Sequence, residues 1–369
     1  MKIKQIDVFQ VDLPYSDGGV YTFSGGREYR RFDATIVRVT ADNGLTGWGE
    51  STPFGSTYIA AHARGARAGI AEMAPHLIGL DPRHYDRINE AMDGALLGHN
   101  HAKTPIDVAC WDLFGKSVGM SVCDLLGGRT QVKMPIISSI YTGSPDDMRR
   151  RVNEHRQRGY RGHSVKVGDD PALDAARIEA SLADRQVGEF FLVDANGGMT
   201  VESGLRMLRL LPKGLDFVLE APCATWRECL SLRRRTDVPI IWDELADSDE
   251  AIIQLISEDA ADGIGLKISK NGGLTKGRRQ RDMCIAAGYT MSVQETTGSD
   301  IAFAAIVHLA QTVPPRLLRC VLECRDMVTP KTADGNFPII DGYVTAPTTP
   351  GLGVEPQMDV LGEPVATYL

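Results

Sequence analysis

The first fifty residues alternate apolar and polar positions in three runs, "IKQIDVFQVDLP", "FDATIVRVTAD" and "GLTGWGES". Alternation with period two is the pattern of half-buried strands, and "DNG" (Asp42 to Gly44) between the second and third runs is a hairpin turn. From about Tyr58 to Gly128 the apolar positions move to helical spacing, as in "HARGARAGIAEMAPHLIG" and "TPIDVACWDLFGKSVG". Residues 1–130 therefore read as an α+β unit. After "MPIISSIY" the rhythm changes again. Short apolar runs now alternate with charged, helix-patterned segments such as "PDDMRRRVNEHRQRG" and "TKGRRQRDMCIAAG".

The apolar runs end at Lys166, Asp194, Glu220, Asp243 and Lys267, with spacings of 23 to 28 residues, each the length of one strand–helix unit. With "MPIISSIY" before them and "YTMSVQE" and "RLLRCVLE" after, eight strands are expected. The count predicts an α/β fold, a (β/α)8-type barrel over residues 131–336 with its last helix shortened, capped by the α+β unit. A doubly wound open sheet is disfavoured, because no G-x-G-x-x-G follows any of these runs. Residues 337–369, rich in proline and glycine turns, should run back to the first unit.

Composition narrows the function classes. The chain has 369 residues, of which 43% are hydrophobic and 24% charged, as expected of a soluble two-domain protein. Its net charge of −8 argues against nucleic acid or an anionic membrane as partner. No apolar segment approaches the ~20 residues of a bilayer span, and the N-terminus reads as a strand rather than a signal peptide. Seven cysteines without CxxC spacing point to reduced thiols and a cytoplasmic home. Cys110, Cys223 and Cys284 lie among apolar neighbours and read as small core residues.

The chemistry lies at the strand ends. Side chains at the C-terminal ends of barrel strands converge on one site, and Asp194, Glu220 and Asp243 end the third, fourth and fifth strands. A buried acid is costly without a partner, and three together repel one another unless a cation is present. A helix cap or ion pair would explain any one of them, but not three consecutive strand tips. An oxygen-only set suits Mg2+, and no histidine or cysteine lies at a nearby strand end to favour zinc. Lys166 and Lys267 end strands two and six, which face each other across a ring of eight. Desolvation and a nearby cation would lower their pKa, so that one removes a proton and the other delivers one. The metal would hold a substrate carboxylate and stabilise the enediolate formed when its α-proton leaves. Strand alternation points Glu244 away from Asp243. Glu244, Ser164, Asn196 and Lys270 are expected to support the site without reacting.

By these residues the chain resembles the enolase superfamily, within it the mandelate racemase/muconate lactonizing enzyme family and its muconate-lactonizing-enzyme-like branch. "LKISKNGGLTK" and "PIDVACWDLFGK" carry the likeness beside the strand ends, and it spans nearly the whole chain. The resemblance implies a capping domain on a modified barrel, Mg2+ on Asp194, Glu220 and Asp243, and acid–base roles for Lys166 and Lys267. Two departures stand out. The family's Lys-x-Lys on the second strand is Ser164-Val165-Lys166 here, and the Asp-x-Asp of dipeptide epimerases is absent where this chain reads Cys320-Val321-Leu322-Glu323. No histidine follows the seventh strand, which disfavours a His–Asp base.

Specificity is expected from the glycine- and aromatic-rich loops "PYSDGGVYTFSGG" (14–26) and "STPFGSTYIAAHA" (51–63), read as mobile, and from Tyr58, Gln294, Glu295, Leu322 and Glu323. The second loop and "LGHNHAKTPID" resemble branch members acting on proline derivatives. Tyr58 would face a ring or a cationic nitrogen, or else pack at a helix start. The leading expectation is a Mg2+-dependent racemase or epimerase of a small carboxylate, proline-like or N-methylated. The alternative is a dehydratase of a hydroxyproline or sugar acid using the same residues. A remote alternative is a catalytically silent binding module. The expected partners are the substrate and further copies of the chain.

Overall fold

The computed structural model describes residues 1–130 and 133–369, with Phe23 described by its backbone alone. The expected boundary between 130 and 131 falls against residues 131–132, outside the described residues. The three N-terminal runs form antiparallel strands β1 (Ile3–Pro14), β2 (Arg31–Ala41) and β3 (Thr46–Ser51). Helices α1 (Ala63–Met73), α2 (Tyr85–Ala95) and α3 (Asn100–Val118) pack with them. Contact between α3 and β3 is so close that only glycine fits. A Cβ on Gly49 would stand 2.1 Å from the Pro105 carbonyl oxygen, and one on Gly47 2.0 Å from that of Ala109. The C-terminal segment does return to this unit, where Ala366–Tyr368 pairs with β1.

Eight parallel strands follow: β4 (Met134–Ile140), β5 (Gly162–Lys166), β6 (Phe190–Asp194), β7 (Val218–Glu220), β8 (Ile240–Trp242), β9 (Gly263–Lys267), β10 (Thr290–Gln294) and β11 (Leu318–Leu322). Each pairs with the next, and β11 pairs with β4, so the sheet closes into the expected barrel. The connecting helices are α4 (Pro145–Gln157), α5 (Pro171–Leu182), α6 (Val201–Leu210), α7 (Trp226–Arg233), α8 (Asp249–Ser257), α9 (Leu274–Ala287) and α10 (Asp300–Ala310). The short turn Arg325–Met327 stands where an eighth helix would. Helices α4 to α8 open on side-chain caps from Ser144, Asp170, Thr200, Thr225 and Ser248, which satisfy amides that no helical carbonyl can reach. Ile137, Leu192, Val218, Ile241, Cys320 and Leu322 pack together inside the barrel. Leu192, Val218 and Ile241 each lie two residues before an acid, so strand alternation sets the acids one layer above them, at the barrel mouth.

Helices α9 and α10 lack a side-chain cap of their own. The N-terminal unit supplies it. Asp107 on α3 accepts from the Thr275 amide at 3.0 Å and its hydroxyl at 2.6 Å, while Glu50 on β3 accepts from the amides of Ser299 at 2.8 Å and Ala302 at 3.1 Å. Two buried acids of one unit thus sit on helix N-termini of the other, where the partial positive charge favours them. All seven cysteines are buried and free. Among the described residues, no helix is long and apolar enough to cross a membrane.

Candidate active site

Lys166, Asp194, Glu220 and Lys267 are the last residues of β5, β6, β7 and β9, and Asp243 follows β8 directly. The parallel register sets Lys166 beside Asp194, and Asp194 beside Glu220. Lys166 forms an ion pair with Asp194. Lys267 does the same with Asp243, whose other oxygen accepts from Lys270 at 3.0 Å. Strands β5 and β9 have three strands between them in either direction round the barrel, so the lysines oppose each other with the acids between.

Glu220 is 1% exposed; its Oε1 accepts from Gln294 at 2.9 Å, and its Oε2 has no hydrogen-bond partner. Burial, then Asp194 and Asp243, push its carboxyl up to about 8. Asn196 donates its backbone N–H to Asp194 Oδ1 at 2.9 Å, and its side-chain amide to Asp194 Oδ2 at 3.1 Å and Glu244 Oε1 at 2.9 Å. The expectation that alternation turns Glu244 away is therefore corrected. Strand β8 ends at Trp242, so neither Asp243 nor Glu244 is bound by its period, and Glu244 turns in beside Asn196. Burial and the neighbouring Asp243 and Asp194 raise Glu244 to about 7. Asn196 and Ala221 hold left-handed φ angles of 45° and 42° next to these acids, strain of the kind that functional sites retain.

Among the described residues, no three His, Cys, Asp or Glu side chains are gathered closely enough to hold a metal ion. Lysine ammoniums neutralise Asp194 and Asp243 instead. The donors still fit a hard cation. Unpartnered buried oxygens remain on Glu220, Glu244 and Asn196, and the set is oxygen throughout. Asp194, Glu220 and Asp243 could hold Mg2+, with Glu244 alongside. With no cation between the acids, the lysine pKa values move upward. Burial does pull both down, but Asp194, Tyr21 and Glu220 raise Lys166 by more, and Asp243, Glu244 and Glu220 raise Lys267 by more.

A cavity with about 20 Å³ of free space lies at this mouth. It is lined by Ser164, Lys166, Asn196, Lys267, Gln294 and Leu322, with Glu295 beside them. Glu323, expected here, is turned aside: its carboxylate is forked by Arg325 at 2.6 and 2.7 Å, a pairing two residues away in sequence. The Tyr58 hydroxyl accepts from Lys267 at 2.6 Å while donating to Asp243 at 2.9 Å. Lining residues that sequence reasoning missed are Tyr21, Phe54, Ser139, Thr296 and Met327. Tyr21 and Phe54 lie in the two loops singled out for specificity, which was the available signal. Ser139 and Met327 gave none. A larger cavity of about 640 Å³ adjoins on the far side of Tyr58, bordered by His62, His101 and Lys270.

Residues 147–360 match the family pattern of the enolase C-terminal domain-like fold, and residues 28–127 that of the mandelate racemase/muconate lactonizing enzyme N-terminal domain. The chain is an enzyme of the enolase superfamily and belongs to the mandelate racemase/muconate lactonizing enzyme family. It is 42% identical over 368 residues, covering 100% of both chains, to the cis-3-hydroxy-L-proline dehydratase of Roseibium aggregatum. It is 27% identical to the N-succinyl-L-Arg/Lys racemase of Bacillus cereus, covering 98% of each. Two solved structures assigned to the same family superpose on it. One, from Aspergillus oryzae, has a TM-score of 0.94 at 69% identity, covering 100% of this chain and 99% of that one. The other, from Roseovarius nubinhibens and complexed with magnesium, has a TM-score of 0.98 at 53% identity, covering 100% of both.

Proposed function

We propose that the protein is a Mg2+-dependent dehydratase of a 3-hydroxyproline-type imino acid. The observation that carries this reading is the 42% identity, over 100% of both chains, to a cis-3-hydroxy-L-proline dehydratase. The racemase expected from the opposed lysines has weaker support, a relative at 27% identity. Both reactions begin with loss of the α-proton, so the same five residues serve either.

Bound by Asp194, Glu220 and Asp243, Mg2+ would neutralise the acids and draw electron density from the substrate carboxylate, making the α-hydrogen acidic. The chain's own residues do the rest. A lysine no longer held by its acid takes the proton from Cα. The electron pair moves into the Cα–Cβ bond as the bond to the β-hydroxyl breaks, and the hydroxyl takes up a proton and leaves as water. The enamine left behind tautomerises to a cyclic imine. Tyr21, Phe54 and Tyr58 cover the mouth, which limits ligand size and keeps bulk water from the reacting carbon.

Incubation with cis-3-hydroxy-L-proline and Mg2+ should yield an imine captured by a carbonyl reagent. Chelation should abolish turnover, and added Mg2+ should restore it. Inversion at Cα with no imine, across a panel of hydroxyprolines, would sink the dehydratase and favour the racemase.

A further inference from the structure

Departure of a β-hydroxyl needs a proton at the leaving oxygen, a requirement that rests on the dehydratase reading above. The lysine that serves as base is occupied with the α-proton, and Tyr58 donates to Asp243. Glu295 is placed differently. It directly follows β10, is 1% exposed and lines the cavity over the acids. Its two oxygens are unlike. Oε2 accepts from the Ser269 hydroxyl and, at 3.2 Å, from the Thr296 amide. Oε1 is buried without a hydrogen-bond partner.

An oxygen that accepts two donors behaves as the carbonyl side of a neutral acid, so the proton of a neutral Glu295 belongs on Oε1. Burial favours that neutral form, pushing the carboxyl up to about 8; Glu50 adds to the rise, while Ser269, Thr296 and Lys267 oppose it. The charged or titratable groups facing it are Lys267 on β9, Glu50 on β3 and the Cys324 thiol beyond β11. A buried O–H without an acceptor is costly, and a substrate oxygen in the cavity removes that cost.

We propose that Glu295 is a catalytic acid that delivers the Oε1 proton to the departing β-hydroxyl. A lysine takes the α-proton, the electron pair forms the Cα–Cβ double bond, and the Cβ–O bond breaks. The leaving oxygen takes the Glu295 proton and departs as water. Glu295 is left as a carboxylate and regains a proton from solvent after product release, so no oxidant or co-reactant is needed.

The test is Glu295→Gln, which keeps the size and can donate a hydrogen bond but cannot transfer a proton. With cis-3-hydroxy-L-proline, kcat should fall ~10²–10⁴-fold, the usual worth of a general acid. α-Deuterium exchange into L-proline, which has no leaving group, should change little. The variant should also lose the wild-type fall in kcat as pH rises through the Glu295 titration. A fluoride leaving group needs far less help, so with cis-3-fluoro-L-proline the loss should be under ~10-fold. Dehydration at near wild-type rate in Glu295→Gln would overturn the assignment. So would equal losses with hydroxyl, fluoride and exchange substrates, which would mark a purely structural role or misfolding. Failure of the dehydratase reading shows up separately, in a wild-type enzyme that exchanges the α-proton but eliminates neither hydroxide nor fluoride.

Discussion

At the scale of single residues, charges were the most legible part of the site. Burying an ionised group is so unfavourable that an acid or lysine inside an apolar strand pattern advertises a partner. Asp194, Glu220, Asp243, Lys166 and Lys267 stood out for that reason, and the structure brings them to one barrel mouth. Glu244 and Glu323 were misread because their directions depend on a strand ending early and on an arginine two residues away, neither of which shows in an apolar pattern. Two predictions belong here. Glu220→Gln removes the charge of the acid whose Oε2 has no partner, so calorimetric Mg2+ binding should weaken at least tenfold or vanish; an unchanged titration would place the ion elsewhere. Of Lys166→Ala and Lys267→Ala, the variant that lacks the base should slow dehydration by ~10²–10⁴-fold. Only that variant should also abolish deuterium exchange into L-proline. Exchange persisting in both would mean that neither lysine is the base.

At the scale of elements, period-two and helical spacings located the eight barrel strands and the long helices, because burial on one face imposes those periods. Elements of three residues have no period to read. The 14–26 loop, expected to be mobile, instead holds a small hairpin, Tyr21–Phe23 paired with Arg27–Tyr29. It is tied down by a 2.6 Å hydrogen bond between the Tyr21 and Ser139 hydroxyls, and by the Thr142 amide donating to the Thr22 carbonyl at 2.9 Å. The approach of α3 to β3 was also invisible, since glycine in "GLTGWGES" signals permission rather than contact. Gly49→Ala drives a methyl into the Pro105 carbonyl, and overpacking of this kind costs about 1–3 kcal/mol. A drop in the urea midpoint is the expected readout, and an unchanged midpoint would mean that α3 can move outward at no cost.

At the scale of the whole molecule, the sequence showed that "PIDVACWDLFGK" mattered but not why. Its Asp107 meets the first turn of α9, 168 residues further on, and no local pattern reveals which helix end an acid will find. Asp107→Ala leaves the Thr275 amide and hydroxyl and the Asn89 side chain without their shared acceptor. The loss should be about 1–3 kcal/mol. Because Asp107 and Glu50 bind the two units through buried groups, fluorescence and circular dichroism should report one coincident thermal transition in the wild-type protein. Two separated transitions would mean that the units fold independently.

That pair of acids also sets terms for recombination. A cap taken from another family member and grafted onto this barrel must bring an acid for the start of α9 and another for the start of α10. Without them, the amides of Thr275, Ser299 and Ala302 and the hydroxyls of Thr275 and Ser299 lose these acceptors. The helices concerned follow β9 and β10, which carry Lys267 and lead into Glu295. A mismatched graft would therefore disturb the reacting side of the barrel even when every loop that touches substrate had been copied faithfully. Exchange of caps between lineages is restricted by these two keys before substrate preference enters at all.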